Sequence, residues 1–160
     1  MDYAGAGVLF TNRQVALAGY HQYKTCLSGI GGKREASDRT PQETAFREAL
    51  EELFSLSVVP STILKQLCEV FSTPDPILVS SNYIVYVYSF ADLTHLLHLC
   101  KMFGLVSPVY LSFPETIEDL LFQRIQGAGE VSHLAIVPVV KVPPVLESFF
   151  QRDLEKIRIE

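Results

Sequence analysis

Glu48, Glu51 and Glu52 fall within one turn if the segment around them is helical. At about 100° per residue, Glu48 and Glu52 form an i, i+4 pair, and Glu51 lies on the same side. Phe46, Ala49, Leu50 and Leu53 take the opposite side, so one face is buried and the other gathers acid. Three like charges in one turn repel, and the pattern shows no cationic i+4 partner to offset them. A hard divalent cation bound by oxygen is the economical way to neutralise them. Ahead of this helix, Gly31-Gly32-Lys33 reads as a turn, where backbone approaches a charged group closely and a lysine meets a phosphate.

The elements that must position these acids follow from patterning. Thr40 is placed to cap a helix running from about Pro41 to Phe54, with Glu43 at the capping-box position. Before it, residues 3–11 and 15–19 read as strands joined by a turn at Asn12-Arg13. Residues 20–26 read as a loop, and 27–30 as a short strand. After it come a short helix over 61–66, a strand over 67–72, a loop over 73–76 and the Tyr-Ile-Val-Tyr-Val-Tyr strand within 82–90. Helices are expected over 91–103, 114–126 and 143–157, with a strand over 131–140. Periodicity alone gives an α+β mixture without internal repeats or linkers.

Composition narrows the function. The 160 residues suit one domain with a proper core, and 48% apolar against 19% charged residues excludes a disordered chain. A net charge of −5 argues against a general nucleic-acid binder. Cys26, Cys68 and Cys100 are odd in number and form no Cys-x-x-Cys, which points to reduced thiols in a cytoplasmic or nuclear protein. His95 and His98 stand at i, i+3 with no third zinc ligand nearby in sequence. No secretory signal or membrane span is expected, because the start lacks a positive region and Pro138 interrupts the longest apolar run.

Gly31, Gly32, Lys33 and Glu35, followed by Thr40, Ala45, Arg47, Glu48, Glu51 and Glu52, resemble the Nudix box. That pattern runs from a glycine, through an acidic residue and a spacer, to Arg-Glu-apolar-x-Glu-Glu-x-Gly. Two departures stand out. The acid expected before the threonine is Arg39, which we read as a one-residue insertion with Asp38 standing in. The glycine expected after the last acid is Phe54.

The resemblance implies an α/β Nudix fold, a mixed β-sheet sandwiched between helices, over residues 1–160 as a single domain. It implies hydrolysis of a diphosphate linkage in a nucleoside diphosphate joined to another group, with Mg²⁺ or Mn²⁺ as cofactor. Glu48 and Glu52 would then be the main metal ligands, with Glu51 holding a second ion or bound water and the Gly31 carbonyl contributing. Arg47 would orient the acids by charge-assisted hydrogen bonds; otherwise it is a surface cation. Lys33 would contact a phosphate or pair with a box carboxylate, and Glu35 would be structural or a remote ligand. The family often adds a carboxylate from outside the box. Glu130, after Gly127-Ala128-Gly129, is the first candidate, a solvent-exposed acid being the plain alternative, and Glu69 is the second.

Tyr20, Tyr23 and Phe71 are candidates for stacking on a base, though each also suits packing, and His21 could touch substrate. The chain is also similar to Nudix proteins of large DNA viruses, some of which remove the cap from mRNA. Short length and the lack of a basic tract favour a small nucleotide, such as a nucleoside triphosphate or a dinucleotide. Capped RNA is the rival substrate, and a non-catalytic Nudix-fold binding module is a third reading. A homodimer is left open.

Overall fold

The apolar alternation of the strands builds two sheets, and the longer helices cover them. The computed structural model describes residues 2–125, 130–139 and 147–158. In chain order the strands are β1 (Gly5–Phe10), β2 (Val15–His21), β3 (Cys26–Ser28) and β4 (Ile30–Lys33). There follow α1 (Pro41–Phe54), α2 (Ser61–Val70), β5 (Ile77–Ser80), β6 (Tyr83–Tyr88) and α3 (Phe90–Met102). The last elements are α4 (Ile117–Phe122), β7 (Val131–Pro138) and α5 (Ser148–Ile157).

One sheet has the order β4-β1-β6-β5 and the other β3-β2-β7. β1 runs parallel to β6 and antiparallel to β4, so the first sheet is mixed. Ala6, Val8 and Phe10 of β1 join Ile84 and Tyr88 of β6 in a core with α1, α2 and α3. The alternate residues Leu9, Val85 and Val87 pack with Phe150, Leu154 and Ile157 of α5. Side chains alternate across a strand, so these two sets lie on opposite faces. The protein is therefore a mixed α/β domain with helices on both faces of a mixed sheet.

α1 has the expected bounds. Thr40 Oγ1 accepts the Glu43 amide at 3.1 Å, and Pro41 supplies the first turn. Ala45, Phe46, Ala49, Leu50, Leu53 and Phe54 are all buried. The helix stops where Ser55 turns left-handed (φ 52°). Ser107 Oγ, far along the chain, caps the Phe54 carbonyl at 2.6 Å.

Several sequence expectations are corrected. Gly31, Gly32 and Lys33 form a strand, β4, not a turn; Gly31 pairs with Gly7 and Gly32 with Ala6. Segment 27–30 divides at Gly29 between β3 and β4, and β2 continues through Tyr20 and His21, which were expected in a loop. The strand expected over 67–72 is mostly helix, because Leu64, Leu67 and Phe71 keep helical spacing into the core. β5 was not foreseen; its exposed Ile77 and Val79 alternate with half-buried Leu78. α4 is confined to six residues. Residues 126–129 and 140–146, which include the expected Gly127 stop and the Pro143 helix start, lie outside the described residues.

Candidate active site

Arg47 is the centre of the box. It is buried, so the surface-cation reading does not hold. Its Nε and Nη2 form a fork on Asp38 at 3.0 and 2.9 Å, and Nη2 also donates to the Lys33 carbonyl at 2.8 Å. Nη1 meets Glu48 Oε1 and Glu51 Oε1 at 3.1 Å each, with Glu35 at 3.4 Å. The expectation of no cationic i+4 partner is thus corrected: Arg47 and Glu51 are that pair. One guanidinium ties α1 to β4 and to the connection between them.

Asp38 is the counter-charge. Burial works against its ionisation, but hydrogen bonds from Arg47, the Glu35 amide and Thr44 outweigh it and hold its carboxyl below the usual range. Tyr3 reaches the same network through Thr44 Oγ1 at 2.8 Å. Asp38 therefore fills the structural place proposed for it, while Arg39 points to solvent as an exposed residue.

Glu48 and Glu52 are in the opposite condition. Burial raises the carboxyl of Glu48 despite its contact with Arg47, and Glu51 and Glu130 add to the rise. Glu52 is pushed up to about 8, first by burial, then by Glu48, Glu130 and Glu51, against the hydrogen bond from the Gly31 amide at 2.7 Å. No salt bridge among the described residues reaches Glu52. A methyl group on Gly32 would lie 2.4 Å from the Glu48 carboxyl carbon, so glycine is needed there to let the acid lie on the strand. These are hard oxygen donors strained by their own charge, which suits a divalent cation. Among the described residues no three of His, Cys, Asp and Glu converge as a ready-made metal cage. A pair of carboxylates is the donor set typical of Mg²⁺, which keeps waters and takes further oxygens from a bound phosphate.

Glu130 stands at the start of β7 with its side chain 70% exposed. Its charge raises both Glu48 and Glu52, so it lies on their side of the molecule. His21 Nε2 is 3.5 Å from its carboxylate, and the Gln22 amide donates to its carbonyl at 3.0 Å. Sequence reading missed Arg124. Its guanidinium donates to the carbonyls of Glu52 and Val131 at 2.9 Å each and to that of Leu53. α1 has no basic residue in its last turn, and Arg124 supplies the positive charge there from 71 residues away. A lone arginine beside α4 gave no local signal of this. Tyr83 was also missed; its ring lies on Gly5 and its hydroxyl on Gly7 and Gly31, beneath the box.

Other candidates separate from the site. Lys33 engages Arg47 through its carbonyl, and its residue is exposed. Gly31 reaches the box through its N–H. Glu69 is exposed on α2, not on a strand. Phe71 is a core residue stacked on Phe46 with centroids 5.7 Å apart, so it is no base platform. Tyr20 packs edge-on against His133, whereas Tyr23 is 71% exposed and edge-on to His21. His95 packs on Phe71, and all three cysteines are free.

No protein-family model matches the chain, and no curated protein is similar in sequence. Among solved structures, the chain is similar to a hydrolase of the NUDIX family from Clostridium perfringens. The identity is 16%, over 96% of this chain and 93% of that one, with a TM-score of 0.45. It is also similar to a bifunctional NMN adenylyltransferase/ADP ribose pyrophosphatase from Francisella tularensis, complexed with AMP and a Mn ion. There the identity is 15% and the TM-score 0.39, and the chain spans 38% of that protein's length. The chemistry of the site therefore rests on this chain's own residues.

Proposed function

We propose that the chain hydrolyses a diphosphate linkage in a nucleoside diphosphate joined to another group, in the manner of Nudix enzymes, with Mg²⁺ or Mn²⁺ as cofactor. The observation that carries this reading is the Glu48–Glu52 pair, two carboxylates of α1 laid against β4 and raised by burial and by neighbouring acids. A divalent cation held by Glu48 and Glu52, with Glu51 and the Gly31 carbonyl as further oxygen donors, would neutralise diphosphate oxygens and acidify bound water. Arg47 holds Glu48 and Glu51 at their stations while Asp38 fixes Arg47. The Gly31 amide anchors Glu52. Glu130, exposed and close enough to raise both acids, accepts the proton of the attacking water. Water oxygen bonds to phosphorus, the bridging P–O bond breaks, and two phosphate products leave.

The substrate we favour is a small nucleotide. Lys24, Lys33, Arg34 and Arg39 are all exposed near the box, but Arg34 lies over the Tyr3 ring at 4.5 Å and none forms a continuous basic tract. The test is a panel of nucleoside triphosphates, dinucleotides, cap dinucleotide and capped RNA with Mg²⁺ and Mn²⁺, products separated, over a salt series. Small substrates should be cleaved at least as well as capped RNA. Preference for long capped RNA at physiological salt would make the protein a decapping enzyme. No metal-dependent product from any substrate would leave a binding module.

A further inference from the structure

The outlying acid of the site, Glu130, is tied to β2 and to α1. Two contacts reach it and a third holds its neighbour. The Gln22 amide takes the Glu130 carbonyl at 3.0 Å. His21 Nε2 stands 3.5 Å from the carboxylate. Arg124 takes the carbonyl of the next residue, Val131, with the same nitrogen that takes the carbonyl of Glu52. The register of β2 on β7 also slips here. Tyr20 faces His133 but His21 faces Val131, so Ser132 is an extra residue on β7. Such a bulge re-aims the side chains beside it and is common next to active sites.

His21 bears the mark of a fixed tautomer. Its Nδ1 is buried with no hydrogen-bond partner. An unpaired buried N–H costs more than a bare lone pair, so the ring carries its proton on Nε2, facing Glu130. Arg124 is fixed as well, with donors to three carbonyls and to Tyr110 Oη at 3.3 Å. Its planar fork is what lets a single side chain bridge the end of α1 and the start of β7.

We propose that Arg124 and His21 are positioning residues that fix Glu130 opposite Glu52, Arg124 by joining the two backbones and His21 by facing the carboxylate. This rests on the reading of Glu130 as proton acceptor in the hydrolysis. Neither residue touches the substrate; both act through Glu130.

The test is a double-mutant cycle. His21→Leu, Arg124→Lys and Glu130→Gln are made singly, and each of the first two is combined with Glu130→Gln. Arg124→Lys keeps the charge and loses the fork; His21→Leu leaves the α1 clamp intact should the lysine variant fold poorly. Each positioning variant should lower kcat about tenfold, the effect of losing an outer-shell partner, with KM little moved. Mn²⁺ affinity, read from the free Mn²⁺ signal in electron paramagnetic resonance, should stay as in the wild type. On the Glu130→Gln background neither change should cost more. Losses that multiply on that background, or a fall in Mn²⁺ affinity, overturn the proposal. A second readout needs no turnover. In the metal-free protein the His21 ¹⁵Nε2 resonance should report a protonated nitrogen and should move in Glu130→Gln and in Arg124→Lys. An unmoved resonance overturns the mount. A wild type that cleaves nothing overturns the proposed function, and the nitrogen resonance then decides the mount alone.

Discussion

Glu52→Gln is expected to stabilise the metal-free protein while it removes turnover. The carboxyl of Glu52 stands at about 8 in the fold against an ordinary 4.5, chiefly because it is buried. A raised carboxyl contributes stability that is present below pH 4.5 and lost as the pH climbs through 8, since the folded state must give up a proton it holds more tightly than the unfolded chain. The difference is about 3.5 units, and at about 1.4 kcal/mol per unit the full loss is about 5 kcal/mol. At pH 7 the folded carboxyl is still mostly protonated, and the loss is about 3 kcal/mol. Glu52 is itself partly exposed, so water reaches its carboxyl. Screening by that water reduces the figure to about 1–2 kcal/mol. For a chain of this size that is about 3–6 °C in Tm. Glutamine keeps an oxygen for the Gly31 amide and carries no charge. The assay is thermal unfolding from pH 5 to 9 in a chelator. The wild-type Tm should fall across this range more steeply than that of the variant, and the two curves should meet near pH 5. Asp153, with its carboxyl pushed up to about 6, titrates in both proteins and drops out of the difference. Adding Mg²⁺ at pH 8 should raise the wild type and leave the variant nearly unmoved. A variant that melts below the wild type at pH 8, or parallel curves, refutes the reasoning.

Adjacent glycines should fail differently. The three atoms nearest an alanine methyl at Gly32 all belong to the Glu48 carboxylate, a side-chain end that can swing aside, so Gly32→Ala should lower turnover about tenfold or more with Tm little changed. Alanine at Gly31 meets the backbone of Gly7 and Ala6 at 2.7 and 2.8 Å, and Gly31→Ala should lose about 1–3 kcal/mol in urea unfolding. Asp38→Ala strands the buried Arg47 and should cost about 3–5 kcal/mol, read in the same assay. Phe54→Ala should cost about 3–5 kcal/mol although the family pattern has glycine there, because Phe54 is fully buried 4.7 Å from Phe113.

Local signals carried the box. Thr40, Pro41 and an apolar stripe four positions wide define α1 without help from the rest of the chain, and the expected helix is the observed one. Asp38 as the stand-in acid was legible from the resemblance, because the spacing from the glycines is one residue too long and Arg39 takes the expected acid's place. The glycines misled. Glycine signals either an unusual backbone angle or a close approach, and the sequence cannot say which; Gly31 and Gly32 are close approaches in a strand. The end of α2 misled because Val70 and Phe71 favour strands, while the helical spacing from Leu64 decides. Phe71 as a stacking platform failed for the same reason, since an aromatic residue reads alike in a core or a cleft. Arg124 and Ser107 were illegible: each caps a carbonyl of α1 from more than fifty residues away.

The clamp at the end of α1 has a consequence for how the chain is made. When the first hundred residues have left the ribosome, every acid of the box is already outside, and so is the glycine strand it lies on. Ser107, Arg124 and Glu130 are not. Until they arrive, the last carbonyls of α1 have no side-chain donors and the outlying acid has no seat. β2 likewise waits for β7, its antiparallel neighbour, to complete the second sheet. Contacts this distant in sequence close slowly. The nascent chain therefore carries a full motif without a working centre, and competence is acquired only with the closing strand.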